Sequence, residues 1–247
     1  MENIALICVT HDPSGNNIDL LKKHAPLFSK LYRDCYICVS DETDLALIAE
    51  LESSEFHIQI IKKSGVANAR RAVVEFGMSG HNEIFHYCDF DRLLTWFENN
   101  EANSEAELEK MLETANQYDY LIIGRTEKAF RTHPKEWVET ETISNKIFSL
   151  ELGKEADVTA GSCMFSRKCA ELIILHSKDM MTDAEWPMIV HRIGKNSIDY
   201  LAVEGLEYQE KINGYANHMD ESDKWFGRVR LCYLISESAM NTGKTHN

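Results

Sequence analysis

Residues 82–98 read NEIFHYCDFDRLLTWFE, and the fold turns on how this stretch is read. Ile84 to Cys88 is short, apolar and aromatic, as suits a strand buried on both faces of a parallel sheet. Asp89 and Asp91 then stand where the strand leaves the sheet. In an extended segment, side chains two residues apart point to the same side, so both carboxylates can face one point. Two like charges so placed repel unless a cation lies between them. A hard divalent ion, Mn²⁺ or Mg²⁺, held by few carboxylates and completed by water and substrate phosphates, fits such a pair. A solvated acidic turn is the alternative.

Upstream of this stretch, strand-like and helix-like segments alternate. IALICV (residues 4–9) leads through the polar loop THDPSGNN to an amphipathic run from Ile18. CYICVS, then LALIAELES, then FHIQIIKK continue the alternation, and GVANARRAVVEFG reads as a helix stopping near Gly77 and Gly80. Four βα units in series predict a mostly parallel central sheet in a three-layer α/β/α sandwich. Ligands are expected beyond the carboxyl ends of its strands. Downstream, residues 99–117 form an acidic amphipathic segment in which Ser104 and Glu107 could make a capping box. YDYLIIGR is a fifth strand and WVETETISNKIFSLEL a helix. DVTAGSCMFSRKCAELIILHS runs from strand into helix. No repeat, low-complexity tract or Pro/Gly linker interrupts the chain. The expectation is one domain over residues 1–247, with a ligand half at about 1–98 and a second half at about 118–247.

Composition narrows the function. Among 247 residues, 26 Lys and Arg face 40 Asp and Glu, a formal charge of -14. That argues against nucleic acid or an anionic membrane as a partner, since both need a basic face. No apolar run approaches the roughly 20 residues of a spanning helix, and no basic region precedes the first apolar stretch, so a cytoplasmic location is expected. Seven irregularly spaced cysteines read as reduced, buried thiols. Cys35 and Cys38 lie three apart on a strand and so face opposite ways, which makes them core residues and not a zinc site.

An Asp-x-Asp after a strand also occurs in phosphatases of the haloacid dehalogenase type. There it follows the first strand, and a threonine stands where this chain has Leu93. The order of IALICVTHD, VSD, GVANARRAVVEFG, YCDFDR, AGSCMFSRK and TDAEW instead resembles family 2-like glycosyltransferases of the GT-A fold, from the first strand to the tryptophan-containing tail. The resemblance implies a metal-dependent transferase moving a sugar from a UDP- or GDP-type donor to an acceptor the sequence leaves unidentified, with inversion expected over retention. It places Thr10 and His11 against the nucleoside, Asp41 on the base, and Gly65 to Arg71 along the nucleotide with Arg70 as the main contact. It puts Asp89 and Asp91 on the metal, with His218 completing its shell. In TDAEW it implies a general base at Asp183, with Glu185 second, while Thr182 stands where the pattern commonly has a further acid.

Other readings stay open for these residues. Asp41 could cap the following helix, and Asp183 could be an N-cap. His11 and His218 could be exposed loop histidines. Arg70 and Arg71 diverge by about 100° on a helix, so one of them faces the cleft. Gly161 would let a ligand approach the backbone. Glu141 and Asn145, four apart on a helix, project together, either into the acceptor region or as a surface pair. A sugar-phosphate nucleotidyltransferase is the competing enzyme, but THDPSGNN has one glycine and no Lys or Arg for a triphosphate. A catalytically silent nucleotide-sugar-binding protein is the non-enzymatic alternative.

Overall fold

The computed structural model describes residues 3–99, 103–214 and 220–244. Apolar runs of five to seven residues form the strands, and amphipathic runs between them form the helices. The first half follows the alternation read from sequence: β1 (Ile4–Thr10), α1 (Ile18–Leu31), β2 (Asp34–Ser40), α2 (Leu45–Ser53), β3 (His57–Ile61), α3 (Val66–Met78) and β4 (Ile84–Cys88). Then come α4 (Phe90–Asn99), α5 (Ser104–Ala115), β5 (Tyr120–Arg125), α6 (Glu127–Phe130) and α7 (Lys135–Leu152). The chain continues with β6 (Ser162–Ser166), α8 (Arg167–His176), α9 (Thr182–Met188), a π-helical turn (Ile189–Ile193), β7 (Ile198–Val203), α10 (Glu210–Asn213) and α11 (Glu221–Asn241).

The seven strands form one sheet in the order β3-β2-β1-β4-β6-β5-β7. All neighbours pair in parallel except β6, which runs antiparallel to both β4 and β5. One core packs α1, α2, α4 and α5 against one face of the sheet. The other packs α3, α7, α8, α9 and α11 against the opposite face. Strand alternation sorts β2 as expected, with Cys35 in the first core and Cys38 in the second, and all seven cysteines are free thiols. Among the described residues, no helix is long and apolar enough to cross a membrane.

One local expectation is corrected, and two features lay beyond the sequence reading. Ser104 is the first residue of α5 rather than its N-cap, and Glu107 reaches outward. Its carboxylate accepts from Trp96 Nε1 (2.9 Å) and from the backbone of Glu204 (2.8 Å), tying α4 to the turn after β7. Strand β7, in the polar-flanked run NSIDYLAVEG, carried too little apolar signal to be read beforehand. Pro187 is the sixth residue of α9 and not in its first turn. A proline there cannot donate to the Asp183 carbonyl, and the helix widens into the π turn directly afterwards.

Candidate functional site

Strand β4 ends at Cys88 and α4 begins at Phe90, so Asp89 occupies the strand-to-helix turn and Asp91 lies in the first turn of the helix. The extended geometry expected for the pair is therefore not present, and the two carboxylates take different partners. Asp89 continues the face of β4 that carries Tyr87, and this face looks onto α3. Arg70, a buried residue of α3, donates from Nη2 to Asp89 Oδ2 at 2.7 Å, and its Nε lies 3.3 Å from Oδ1. The Tyr87 hydroxyl donates to the same carboxylate. Arg70 Nη1 donates to Asp183 Oδ2 at 2.5 Å and to the Thr182 hydroxyl at 2.9 Å. One guanidinium thus joins the end of β4 to the start of α9.

The electrostatics follow from this bridge. Burial opposes the charge on Arg70, but Asp183 and Asp89 overcome that penalty and hold its pKa well above the ordinary value. Tyr87 stays protonated because burial raises its pKa, so it can only donate to Asp89. Thr182, where the resembled pattern commonly has an acid, supplies a neutral hydroxyl as Arg70's third acceptor. Asp183 is not the N-cap of α9. That position is Met181, with no side-chain cap bond.

Gly161 closes the site from β6. Its carbonyl accepts from the Asp89 N–H at 3.0 Å, its φ is +73°, and a Cβ built there would stand 2.7 Å from Asp89 Oδ2. The backbone approach foreseen at this glycine is made by the Asp89 carboxylate itself. Arg70, Asp183, Gly161 and Trp186 line a small cavity of about 20 Å³.

Asp91 faces the other way along the chain. Its Oδ2 accepts from Asn213 Nδ2 of α10 at 2.8 Å. Burial pushes its carboxyl above the usual range and the charge of Asp89 adds to this, against the pull of Arg92. No ion pair to Asp91 is formed among the described residues. A partly buried carboxylate pushed toward its neutral form is relieved by a cation, and an all-oxygen donor set suits Mg²⁺ or Mn²⁺. Asp91 therefore suits a hard divalent ion, whereas Asp89 is held by Arg70 and Tyr87. Among the described residues, no group of three or more His, Cys, Asp or Glu forms a closed protein shell, so the ion's remaining ligands would come from donor phosphates and water. His218 lies outside the described residues.

The nucleoside-side candidates lie along the carboxyl ends of β1, β2 and β3. Thr10 ends β1, partly exposed, in register with Val39. His11 is exposed, its Nδ1 at 2.7 Å from Ser40 Oγ. Asp41 is exposed and accepts from the Lys63 N–H at 3.0 Å. It caps no helix, because Asp44 holds that position in α2. Gly65 precedes α3 with φ +98° and open space around it. Arg71 diverges from Arg70 as expected, toward the carbonyl of Asp179 (2.8 Å). Glu185 does not join Asp183. It is buried, and its two oxygens accept from Ser177 Oγ (2.5 Å), the Lys178 N–H (2.6 Å) and the Asp179 N–H (2.7 Å).

Glu141 and Asn145 project together, but inward and not as a surface pair. Arg125 at the end of β5 donates to Asp157 (2.7 and 2.9 Å) and to Glu141 (2.7 Å), while Asn145 donates to Asp157 at 2.7 Å. Arg228 of α11 also bonds Glu141. The network fixes residues 157–159, the approach to Gly161. Tyr87 had a sequence signal, since it lies two residues before Asp89 on the same strand face. Asn213 had none.

No protein-family model matches the sequence, and no curated protein does. Solved structures do match. Glucosyl-3-phosphoglycerate synthase from Mycobacterium tuberculosis in complex with uridine-diphosphate superposes with a TM-score of 0.60 at 12% identity, over 98% of this chain and 82% of that one. The same enzyme in complex with Mn²⁺, uridine-diphosphate-glucose and phosphoglyceric acid gives 0.59 at 13% identity, over 98% and 81%. A further structure, described only as a mycobacterial protein, gives 0.54 at 12% identity, over 81% and 65%. At this level of identity the likeness establishes the fold alone: the chain has a GT-A-like α/β architecture.

Proposed function

We propose that the protein transfers a sugar from a nucleoside-diphosphate donor, UDP-type, to an acceptor hydroxyl, with a divalent cation at Asp89 and Asp91. The observation that carries this reading is the position of the two carboxylates. They stand where β4 leaves a GT-A sheet, with Asp183 joined to Asp89 through Arg70. The solved structures sharing the fold were obtained with UDP, UDP-glucose and Mn²⁺, which supports a UDP donor over a GDP one. When bound, the cation stabilises the charge that develops on the departing diphosphate.

The chain's own residues do the rest. Thr10, His11, Asp41 and Gly65 border the strand ends where the nucleoside would lie. Arg70 is the cation already present between Asp89 and Asp183, placed to pass from a carboxylate to a donor phosphate when an ion takes over Asp89. Asp183 is the base of an inverting transfer. Glu185 is excluded from that role in this reading because three donors hold it. Residues 1–98 serve the donor and 118–247 the acceptor.

A catalytically silent binding protein is the second reading, favoured by Arg70's hold on Asp89 and Asp183. Thermal shifts with UDP-glucose, with Mn²⁺ and then with chelator, test donor binding, because a ligand of the native state raises stability by mass action. An Asp91→Ala variant should lose the Mn²⁺-dependent part of the shift. Equal metal dependence in parent and variant would remove Asp91 from the site. Donor hydrolysis or transfer then separates enzyme from silent binder.

A further inference from the structure

Arg70 lies deeper than the acids it joins. Its side chain is 8% exposed, against 22% for Asp89 and 19% for Asp183, so the guanidinium sits behind two carboxylates that face solvent. It makes two contacts with Asp89, from Nη2 to Oδ2 at 2.7 Å and from Nε to Oδ1 at 3.3 Å. Nη1 donates to Asp183 at 2.5 Å and to the buried Thr182 hydroxyl at 2.9 Å. The Tyr87 ring lies 5.4 Å from its central carbon. Among the described residues, no other cation pairs with Asp89 or Asp183. The neighbouring Arg71 is held elsewhere, by the Asp179 carbonyl.

Arg70 therefore already takes what a divalent ion would need from Asp89. Oδ2 accepts from the guanidinium, and Oδ1 accepts from the Tyr87 hydroxyl. Two positive centres on one partly buried carboxylate also repel each other. An ion arriving alone must displace Arg70 and leave a buried guanidinium with fewer partners. A nucleoside diphosphate changes this balance. Its phosphate oxygens can accept from the guanidinium while they complete the shell of the ion.

Resting on the transferase reading above, we propose that Arg70 is an autoinhibitory latch, which holds Asp89 and Asp183 until cation and diphosphate arrive together. Asp183 then loses its cationic partner at the stage when an acceptor proton has to be taken. Thr182 sets the strength of the latch. Its hydroxyl gives the guanidinium a third acceptor without adding a third charge, so the hold is firm but releasable. If cation and donor both bind only the released state, each favours the other. A purely structural bridge would leave metal affinity indifferent to Thr182.

The test titrates the full chain with Mn²⁺, without UDP and with saturating UDP, by calorimetry and by electron paramagnetic resonance of the ion. Thr182→Val keeps the side-chain shape and removes the hydroxyl. Mn²⁺ without UDP should then bind about tenfold tighter, the value of one hydrogen bond to a charged group. With UDP saturating, Mn²⁺ affinity should not change, so the gain that UDP confers shrinks by the same factor. Arg70→Gln should tighten Mn²⁺ alone further and lose the gain from UDP. If that variant does not fold, Thr182→Val decides by itself. Unchanged or weaker Mn²⁺ binding in Thr182→Val, whatever its stability, would overturn the latch. Tighter Mn²⁺ in Thr182→Val, with no UDP binding by the parent, would keep Arg70 as the rival of the cation and remove the transferase reading instead.

Discussion

Replacing Gly161 by alanine separates a backbone requirement from a contact with the candidate site. At φ +73° an alanine is in the left-handed region, which costs about 1 kcal/mol. Its Cβ would also stand 2.7 Å from Asp89 Oδ2, an atom held by Arg70 at 2.7 Å. Asp89 is short and its backbone N–H is fixed on the Gly161 carbonyl, so the carboxylate can move only by giving up Arg70. A hydrogen bond to a charged group contributes about 1.5–3 kcal/mol, and the partial exposure of Asp89 places this one at the lower end. The sum is a loss of about 2.5–3 kcal/mol. Gly153 supplies the control: φ is +78° and nothing lies within 4 Å of a built Cβ, so alanine there should cost only the backbone term, about 1 kcal/mol. Urea unfolding of both variants measures the difference, provided the denaturant slope is unchanged. Gly161→Ala should also weaken any Mn²⁺-dependent donor shift, and Gly153→Ala should not. Equal stability losses in the two variants would refute the argued contact between Gly161 and Asp89.

The two acids of α9 should be told apart by turnover. Asp183→Asn removes a charge that offsets the burial of Arg70, so it should cost about 1–3 kcal/mol of stability. It should also lower turnover by about 10²–10⁴ once an acceptor is found, the usual effect of losing a general base. Glu185→Gln should lose about 1–3 kcal/mol of stability, because an amide NH₂ is turned toward one of its three donors. A full-rate Asp183→Asn would remove the base, and a fully stable Glu185→Gln would remove the packing role. Buried His86, bonded to the Tyr32 hydroxyl (2.7 Å) and near Ser162 Oγ (3.1 Å), has its pKa pushed down by burial to about 3. The unfolded chain takes up this proton near pH 6.5 and the folded chain does not, so stability is full above pH 6.5 and falls as pH drops toward 3. At about 1.4 kcal/mol per pH unit, the loss by pH 4.5 is about 3 kcal/mol. Unfolding at stepped pH should show this slope in the parent and a shallower one in His86→Gln. Equal slopes would assign the acid sensitivity elsewhere.

The first half of the fold was legible because β1, β2 and β4 are buried on both faces, while the edge strand β3 is largely exposed. IALICV, CYICVS and IFHYC are short, mainly apolar and aromatic runs, and strand alternation alone sends Cys35 and Cys38 to opposite cores. Local pattern also located the acids: Asp89 lies at the end of the fourth strand because apolar character stops there. Sequence could not give the antiparallel course of β6 between β4 and β5, since strand order is set by long-range pairing. Nor could it show that α4 begins at Phe90, which separates Asp89 from Asp91 in direction. The partners of these acids come from far along the chain. Arg70 reaches Asp183 across 113 positions, and Asn213 reaches Asp91 across 122. Residue type and short-range periodicity thus determined which groups stand at the sheet edge. Which carboxylate is paired with an arginine, which is left without an ion pair among the described residues, and which is locked into packing were decided by tertiary structure. A charge's partner depends on which distant elements the packed core brings within hydrogen-bond reach, and no local pattern encodes that.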